Sequence, residues 1–269
     1  MFRILTLLFL IFIFYSCSFE KDNSWKKIKS KGEIIIGIDE SFPPMTFRVN
    51  NEIKGIDVDL ANAVFKRLNV RVKFKSVIWK DVINELTNGK IDIIWSGLSI
   101  SDERKKLIDF SIPYIQTKQV IVVKKDSTIN IKEDLKNKKV GVQKGTTSRL
   151  AIEKDLKNFS KLVEYIDVES ELNDLINKKI DAIVIDEIVA KYFLSKYHGD
   201  FKILFENYGH EVFAVGIRKE DVTLKTKINK ELTRLMKNNT EAQIFKKWIG
   251  ETQILSEYLQ RLKEIKGFR

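Results

Sequence analysis

The residue types that bind metal ions or act as catalytic nucleophiles are scarce in this chain. Its 269 residues include two histidines, His198 and His210, and one cysteine, Cys17. The usual zinc-binding sets of His and Cys are therefore absent, and a Ser-His-Asp mechanism would depend on one of these two histidines. No G-x-x-x-x-G-K-[ST] phosphate-binding loop occurs. We expect no metal site, no cofactor and no nucleophilic catalysis.

A carboxylate-binding group is predicted in the segment SGLSISDERKK. Ser99 stands at the end of a predicted strand, Ser101 is a predicted helix N-cap, and Arg104 lies in the first turn of that helix. An arginine in this place can hold a carboxylate with two hydrogen bonds, and the free N–H groups at a helix start attract the same negative charge. The segment VGVQKGTTSRLA repeats the pattern, with Thr146 and Thr147 opening a second helix after a glycine turn.

A group suited to a positive charge is predicted in the segment IVIDEIVAKYF, where Asp186 ends a buried strand. A buried carboxylate needs a cationic partner or several hydrogen bonds, and an α-ammonium group supplies both. Simpler interpretations exist for each residue alone: Asp186 as a helix N-cap, and Arg104 in a surface ion pair with Asp102 or Glu103. Taken together, Arg104 and Asp186 favour a site that binds both charges of a zwitterion.

Predicted strands and helices alternate from residue 33 onward, and these elements must position the side chains named above. GEIIIGID, VRVKFKSV and IDIIWSG read as strands, and DVDLANAVFKRL has apolar residues at a helical period. Strands that alternate with helices indicate an α/β fold with a largely parallel sheet. In such folds, ligands bind beyond the carboxyl ends of the strands.

Two segments of similar sequence, ELTNGKIDII at 85–94 and DLINKKIDAI at 174–183, match at one constant offset. Each reads as a helix end, a tight turn and a buried strand. One interpretation is a common helix-to-strand turn used twice. The other is two similar α/β lobes, whose strand ends deliver residues 96–99 and 186–187 to facing rims of a cleft.

The connections between such lobes are predicted in the extended segments 117–125 and 209–218, which are rich in β-branched residues. If both segments cross, the first lobe is discontinuous. The helical patterns near the C-terminus, around 229–236 and 241–248, would then pack on that first lobe.

The N-terminal residues read as an export signal. An apolar stretch at 4–15 is shorter than the ~20 residues needed to span a bilayer, and the small Ser16 after it precedes Cys17, the sole cysteine. Cys17 resembles the acylated cysteine of a bacterial lipoprotein, although the two aromatic residues before Ser16 are bulkier than such a signal prefers. The alternatives are an uncleaved anchor or an incidental buried thiol.

The chain is strongly basic, with 48 Lys+Arg against 37 Asp+Glu and a net charge of +11. The basic residues are mixed with acidic ones, as in KKIKSKGE and ISDERKK, and no basic run is interleaved with aromatic residues. Lysine, the poorer residue for reading bases, predominates over arginine. We interpret the charge as a solvated surface and expect no nucleic-acid binding.

From Glu33 to Gly250 the chain resembles the polar-amino-acid solute-binding proteins of ABC importers, such as the glutamine-binding and the lysine/arginine/ornithine-binding proteins. GIDESFPPMTF, GIDVDLANAV, NGKIDIIWSGLSISDERKKLIDFSIPY, VGVQKGTTS and FKKWIG occur in the family's order and spacing. The resemblance implies an α/β, two-lobed type II periplasmic-binding-protein fold with a ligand cleft between the lobes. It also implies a monomer without cofactor that captures a free amino acid and delivers it to an ABC permease.

With this resemblance, the chain is predicted to divide into a signal peptide, a tether, two lobes and a tail. The ranges are 1–16 for the lipoprotein signal peptide, 17–32 for the tether, 33–120 and 213–250 for lobe 1, 121–212 for lobe 2, and 251–269 for a helical tail. Export would place the protein in the periplasm or on the outer face of the cytoplasmic membrane, anchored there through a lipid on Cys17.

The resemblance also implies a ligand site with three parts. The groups that would bind the ligand α-carboxylate are Arg104 and the backbone N–H groups of Ser99 and of Thr146 or Thr147. The groups that would bind the α-ammonium are Asp186, the Gly97 carbonyl and the Ser99 hydroxyl. The residues that would line the side-chain pocket are Asp39, Phe42 and Trp79, with Ser96 and Gln143 at its edges.

The side-chain pocket departs from that of the family's glutamine binder. That protein has Lys where this chain has Gln143 and Gly where it has Thr147, so glutamine is not carried over as the ligand. Phe42 and Trp79 can sandwich a flat or cationic side chain, and Asp39 favours a basic or amide side chain. Trp79 as an ordinary core residue is the simpler interpretation of that position.

Two other functions are compatible with parts of the pattern. Cyclohexadienyl dehydratases, which act on prephenate or arogenate, share this fold and export pattern and use a cleft carboxylate for proton transfer. A sensor domain of a signalling receptor is disfavoured, because no transmembrane helix and no kinase or cyclase region follows residue 250. We predict a binding protein that is not an enzyme, with the dehydratase as the alternative.

Overall fold

The structure, a computed structural model, describes residues 22–196 and 200–250. Its α-helices in chain order are α1 (Ser24–Lys31), α2 (Ile56–Arg67), α3 (Val82–Thr87), α4 (Asp102–Leu107), α5 (Thr147–Ala151), α6 (Val168–Ile176), α7 (Glu187–Lys196), α8 (Val222–Lys237) and α9 (Thr240–Ile249). Its strands are β1 (Glu33–Ile38), β2 (Ser41–Phe42), β3 (Thr46–Val49), β4 (Glu52–Lys54), β5 (Arg71–Ser76), β6 (Ile93–Ile94), β7 (Asp109–Phe110), β8 (Ile115–Lys124), β9 (Lys139–Gln143), β10 (Lys161–Tyr165), β11 (Ala182–Asp186), β12 (Phe201–Phe213) and β13 (Gly216–Ile217). Alternating strands and helices confirm the predicted α/β class.

The first sheet has the strand order β5-β1-β6-β13-β7. Strands β5, β1 and β6 are parallel, and β13 runs antiparallel to β6 and β7. The isoleucines Ile34, Ile36 and Ile38 of β1 are fully buried, and helix α2 packs Leu60 and Phe65 into the same core. The apolar period seen in DVDLANAVFKRL is therefore the core face of α2.

The second sheet has the order β10-β9-β11-β8-β12. Strands β10, β9 and β11 are parallel, whereas β8 is antiparallel to both β11 and β12. Every residue of β11 is buried, as its sequence AIVID predicts. The two sheets, each with three parallel strands, are the frames of the two lobes, which confirms the two-lobed fold.

The two similar segments adopt the same local structure. Lys90 N donates to Glu85 O and Lys179 N donates to Asp174 O, both at 2.9 Å. The aspartate that follows each turn binds the neighbouring parallel strand of its own sheet: Ile35 N donates to Asp92 Oδ2 at 2.8 Å, and Lys139 N donates to Asp181 Oδ2 at 2.7 Å. The predicted helix end, turn and buried strand are present in both copies.

The chain passes between the sheets at two adjacent places. Strand β8 pairs with the second sheet along its whole length, and the first-sheet strand β7 ends shortly before it. On the return, β12 ends at Phe213, whose carbonyl accepts from Tyr114 N at 3.0 Å, while Ala214 N donates to Leu98 O at 2.9 Å. The predicted limits of lobe 1 (33–120, 213–250) and lobe 2 (121–212) lie close to these passages and stay predictions.

Two features of the first lobe differ from what its sequence suggests. Part of the segment 17–32, predicted as a polar tether, is helix α1, which buries Ile28 and bonds to helix α8 through Ser24 Oγ and Thr223 Oγ1 at 3.0 Å. The short strands β2, β3 and β4 form a third sheet after β1. Helices α8 and α9 pack on α2, as expected for the C-terminal helical patterns.

The remaining N-terminal predictions, including the signal peptide and Cys17, lie outside the described residues, as do His198 and the tail 251–269. None of the helices in the described ranges is both long enough and apolar enough to span a membrane.

Candidate functional site

A small cavity lies at the carboxyl ends of the parallel strands, between the two sheets. Its lining consists of the eleven residues that the resemblance assigns to a ligand: Asp39, Phe42, Trp79, Ser96, Gly97, Ser99, Arg104, Gln143, Thr146, Thr147 and Asp186. The structure brings all of them together. Their roles toward a ligand stay predictions.

Arg104 provides the positive charge of the cavity wall. Ser101 caps helix α4, accepting from Arg104 N at 3.2 Å, as predicted. The Arg104 guanidinium donates to Ser99 O at 2.8 Å and to Gly145 O at 3.1 Å, and it lies 5.8 Å from the centre of the Trp79 ring. Burial lowers the pKa of Arg104 to about 10, against the opposing effect of nearby carboxylates. The group therefore stays cationic at neutral pH.

Asp186 provides a carboxyl group on the opposite wall, at the end of β11. It is buried, and its Oδ1 accepts from Gln119 Nε2 at 3.0 Å. Gln119 Nε2 also donates to Glu211 Oε1 on β12. Burial, and next the nearby Glu211, raise the pKa of Asp186 well above its usual range, while Arg104 acts in the other direction. A cation placed here would stabilise the charged form of this carboxyl group.

Thr146 and Thr147 begin helix α5 at the same cavity. Thr146 is the N-cap, accepting from Arg149 N at 3.3 Å, which confirms the predicted helix opening. The Thr147 hydroxyl donates across the cleft to Ser99 Oγ at 3.2 Å. The starts of α4 and α5 therefore face one another over the cavity, and both helix starts favour a negative charge between them.

Asp39 and Gln143 form a second contact across the cleft. Gln143 Nε2 donates to Asp39 Oδ2 at 2.6 Å, and the other carboxylate oxygen of Asp39 accepts from Ser41 N at 2.9 Å and from Ser41 Oγ at 2.7 Å. Burial raises the pKa of Asp39, while these hydrogen bonds lower it. This end of the cavity presents an acceptor and an amide, both held in place.

The buried carboxyl group of Asp57 holds the loop that follows β6. Gly97 has φ +56°, a backbone conformation that glycine adopts without strain, and its N–H donates to Asp57 Oδ2 at 2.6 Å. Burial raises the pKa of Asp57 to about 7, against the lowering effect of this bond and of the neighbouring Tyr114 and Trp95 side chains. Asp57 thus fixes the cavity wall without lining the cavity.

Aromatic rings close two sides of the cavity. Phe42 and Trp79 are both buried, and Phe42 packs on Phe213 with ring centres 6.5 Å apart. A Cβ at Gly97 would lie 2.5 Å from the Phe42 ring, so this wall has space for glycine alone. Trp79 is therefore both a core residue and a cavity wall, and the two interpretations of it are compatible.

Sequence reasoning missed three residues that act on the site: Gln119, Asp57 and Glu211. Gln119 and Glu211 lie within strands β8 and β12, where an isolated polar residue gives no local signal of which face it occupies. Asp57 looks like an ordinary acidic residue in the first turn of a helix. The available signal was the position of Gln119 and Glu211 in the segments 117–125 and 209–218, which were predicted to connect the lobes.

Over the residues 22–196 and 200–250, no group of three or more His, Cys, Asp and Glu side chains is placed to hold a metal ion. His210 is exposed on β12. The cavity lining offers a guanidinium and two helix starts for an anion, a carboxyl group for a cation, and an acceptor, an amide and two rings for a third group.

Several known proteins are similar to this chain over most of its length. The L-cystine-binding protein TcyJ of Escherichia coli (strain K12) is 29% identical over 236 residues, which are 87% of this chain and 88% of that protein. A substrate-binding protein of an ABC uptake transporter from Streptococcus pneumoniae, solved with bound histidine, is 36% identical with a TM-score of 0.81, covering 86% of this chain and 97% of its own.

A third similar protein is the ancestral amino acid-binding protein AncCDT-1, described as a precursor of cyclohexadienyl dehydratase. It is 34% identical with a TM-score of 0.78, over 83% of this chain and 98% of its own. The model of one family matches residues 34–251, which include both sheets and the whole cavity lining. The chain is a member of the bacterial extracellular solute-binding proteins, family 3.

Proposed function

We propose that the protein is the amino-acid-binding subunit of an ABC importer, and that it binds one amino acid in the cavity between its lobes. The observation that supports this most is the placement at one small cavity of Arg104, from helix α4 of the first lobe, and of Asp186, from the end of β11 in the second. A zwitterion is the small molecule whose two charges match this pair.

The ligand's orientation follows from the charges. Its α-carboxylate binds Arg104 and the N-terminal N–H groups of helix α5, because these are the groups with positive charge or free donors. Its α-ammonium binds Asp186, with the Gly97 carbonyl and the Ser99 hydroxyl as further acceptors. Both ends are then paired, as a buried charge requires.

The ligand side chain faces Asp39 and Gln143, between the rings of Phe42 and Trp79. A buried carboxylate with an amide beside it favours a side chain that donates hydrogen bonds, and the rings favour one that is flat or cationic. We infer a polar amino acid with a basic or amide side chain.

Binding is coupled to closure of the lobes. Arg104 and Asp186 project from different lobes, so both reach one small molecule only when the cleft is closed. A ligand that contacts both binds the closed state better and shifts the population toward it. The permease can then distinguish a loaded protein from an unloaded one by its shape.

The protein acts outside the cytoplasm and is held at the membrane by its N-terminus. The apolar stretch 4–15 and the sole cysteine, Cys17, are the basis for a cleaved signal and a lipid anchor. Cys17→Ser should release the protein in soluble form. Retention of this variant in the membrane fraction would instead make the apolar stretch the anchor.

Native mass spectrometry of the purified protein, followed by calorimetry with L-arginine, L-histidine, L-glutamine and L-cystine, tests the function. We expect one bound amino acid per chain and displacement by at least one member of this panel. Absence of binding by every common L-amino acid would overturn the proposal.

The similarity to a dehydratase precursor makes an enzyme of that type the second candidate. It predicts release of phenylpyruvate from prephenate or of phenylalanine from arogenate. We propose that the protein catalyses neither reaction, because Arg104 and Asp186 hold the two charges of a zwitterion and Asp39 faces its side chain. Turnover of either compound by the purified protein, lost in Asp186→Asn, would favour the enzyme.

A further inference from the structure

Glu211 lies beside Asp186 at the place where the chain returns to the first lobe. In the antiparallel pairs of the second sheet, Gln119 stands opposite Asp186, and Glu211 stands opposite Thr117 on the same strand β8. The side chains of Asp186 and Glu211 therefore come from the two strands that flank β8. Two carboxyl groups meet here next to a cavity that the proposed function fills with a single ammonium.

Gln119 joins the two carboxyl groups through one amide nitrogen. Its Oε1 accepts from Ser148 Oγ at 2.6 Å, which fixes the amide with its N–H₂ toward the carboxyl groups. The Nε2 atom donates to Asp186 Oδ1 and to Glu211 Oε1. An amide nitrogen has only two hydrogens, so it satisfies one oxygen of each carboxyl group and neutralises neither.

The charged groups that face this pair leave it short of positive charge. From helix α4, the one cation of Arg104 acts on both Glu211 and Asp186, and its guanidinium also binds the carbonyls of Ser99 and Gly145. From helix α5 only hydroxyl groups approach, and Thr147 Oγ1 lies 3.3 Å from Gln119 Nε2.

Two other cationic side chains, one on β8 and one on helix α7, pair with a different carboxylate. Lys118 of β8 and Lys191 of α7 both pair with Glu187. His210, the neighbour of Glu211 on β12, is exposed and stands opposite Lys118. Two close carboxylates with so little compensation hold a proton more tightly than isolated ones.

We propose that Asp186 and Glu211 share one proton before capture, and that the α-ammonium of the ligand takes the place of this proton. The inference rests on the proposed function. In the exchange the pair releases H⁺ to solvent, the ligand stays a zwitterion, and no other bond changes. The raised pKa of Asp186, due to burial and to Glu211, agrees with this arrangement.

Capture is then linked to pH through this pair. Below the pair's apparent pKa, binding must expel the proton, so affinity falls by up to about tenfold for each unit of decreasing pH. Above that pKa the pair is already charged, and affinity no longer depends on its protonation. Glu211 acts here as a positioning residue, since it sets the charge of Asp186 without contacting the ligand itself.

Calorimetry in pairs of buffers of different ionisation enthalpy, phosphate and MES near pH 6 and phosphate and Tris near pH 7.5, counts the released protons. The probe is L-arginine, whose own groups do not titrate in this range, or L-glutamine if arginine does not bind. We expect wild-type protein to release close to one proton at the lower pH and fewer at the higher pH. Glu211→Gln should release clearly fewer protons than the wild type, since burial alone then acts on Asp186, and Glu211→Asp should retain the release.

His210→Gln is the matched control, because His210 is the ionisable side chain next to Glu211 on the same strand. It should release as many protons as the wild type. Binding without any dependence on the buffer, or undiminished release in a folded Glu211→Gln protein, would overturn this inference and leave the proposed function intact. Failure of the wild type to bind any common amino acid would overturn the proposed function itself.

Discussion

The two copies of the helix–turn–strand unit, at 85–94 and 174–183, share a scaffold and differ in what it delivers. In both, the turn is closed by the same backbone bond, and an aspartate binds the neighbouring parallel strand of its own sheet, Asp92 to Ile35 and Asp181 to Lys139. These shared contacts lie within each lobe and fix where each strand ends.

Beyond the strands the copies diverge. Strand β6 has only two residues and opens into a loop, where Gly97 turns the backbone toward the cavity over Asp57. Strand β11 continues for five residues and ends directly in Asp186, followed by helix α7. One scaffold thus presents backbone and hydroxyl groups in lobe 1 and a carboxyl group in lobe 2. A zwitterion needs both kinds of group, which a single rim would not supply.

The largest expected effect is on ligand affinity, and it distinguishes two arginines, each of which lies in the first turn of a helix capped by a hydroxyl group. Arg104 follows Ser101 and enters the cavity, whereas Arg149 follows Thr146 and pairs with Glu164 at 3.1 Å outside it. Arg104→Ala should lower amino-acid affinity at least 1,000-fold, about 4 kcal/mol, because a buried carboxylate loses its charged partner. Calorimetry measures this loss.

Arg149→Ala is the control for that loss. It removes a partly exposed ion pair of little energetic value and should leave affinity within about twofold of wild type. Equal losses in the two variants would mean that Arg104 has no special role.

The second effect tests the support under the lobe 1 loop. The pKa of Asp57 is raised from 3.8 to about 7, so the folded protein keeps a proton that the unfolded chain releases as pH rises from about 4 to 7. The free energy of unfolding therefore falls through this window, by up to about 4 kcal/mol from this group. In Asp57→Asn, denaturant unfolding at several pH values should show this fall reduced.

Asp57→Ala is the contrasting variant, because it removes the acceptor of the Gly97 N–H. It should be less stable than Asp57→Asn at every pH and should bind amino acid more weakly. If the free energy of unfolding of Asp57→Asn depended on pH as that of the wild type does, Asp57 would not be the cause of this dependence.

The third effect concerns the carboxyl group that ends the lobe 2 copy. Asp186→Asn keeps the shape but removes the charge that the ammonium needs, so affinity should fall about 100-fold, or about 3 kcal/mol. Its free energy of unfolding should not fall, because a buried carboxyl group with a raised pKa gives way to a neutral one.

Asp181→Asn, at the other end of the same strand, should show the opposite: unchanged affinity and a small loss of stability. Affinity measured beside chemical unfolding separates the two variants. A loss of affinity matched by an equal loss of stability in Asp186→Asn would indicate a structural role alone.

The smallest effect compares the turns themselves. Gly89 and Lys178 occupy the same position, with φ of +71° and +57°. A Cβ at Gly89 would meet no atom within 4 Å, so Gly89→Ala should cost about 1 kcal/mol from backbone strain alone. Lys178→Gly removes such strain and an exposed pair with Asp126, and should change stability by less than about 0.5 kcal/mol. If Lys178→Gly destabilised the protein as much as Gly89→Ala, then Lys178 would not carry the backbone strain that is expected at this position of the turn.

Much of the site was predictable because its signals are local in sequence. N-caps such as Ser101 and Thr146, and a carboxylate at the end of an apolar strand such as Asp186, are read within a few residues, and the structure places them as expected. The fold class followed from the alternation of strands and helices, and the pairing of lobes from the internal repeat.

The parts that sequence reasoning missed depend on contacts between distant segments. Gln119 and Glu211 reach Asp186 only through the antiparallel register of β8 with β11 and β12, which no local pattern specifies. The polar composition of 24–31 hid a helix, because Ile28 is a single buried apolar residue and the helix is held by bonds to α8 such as that of Ser24 to Thr223.

The hydrogen bonds that cross the cleft, from Gln143 to Asp39, from Arg104 to Gly145 and from Thr147 to Ser99, have a kinetic consequence. They join protein to protein, so a bound molecule cannot leave until they break together. The rate of dissociation is then the rate at which the lobes open, and the lifetime of the complex is set partly by residues that the ligand never displaces. A variant that loses one of these bonds would shorten that lifetime even where the ligand's own contacts are intact.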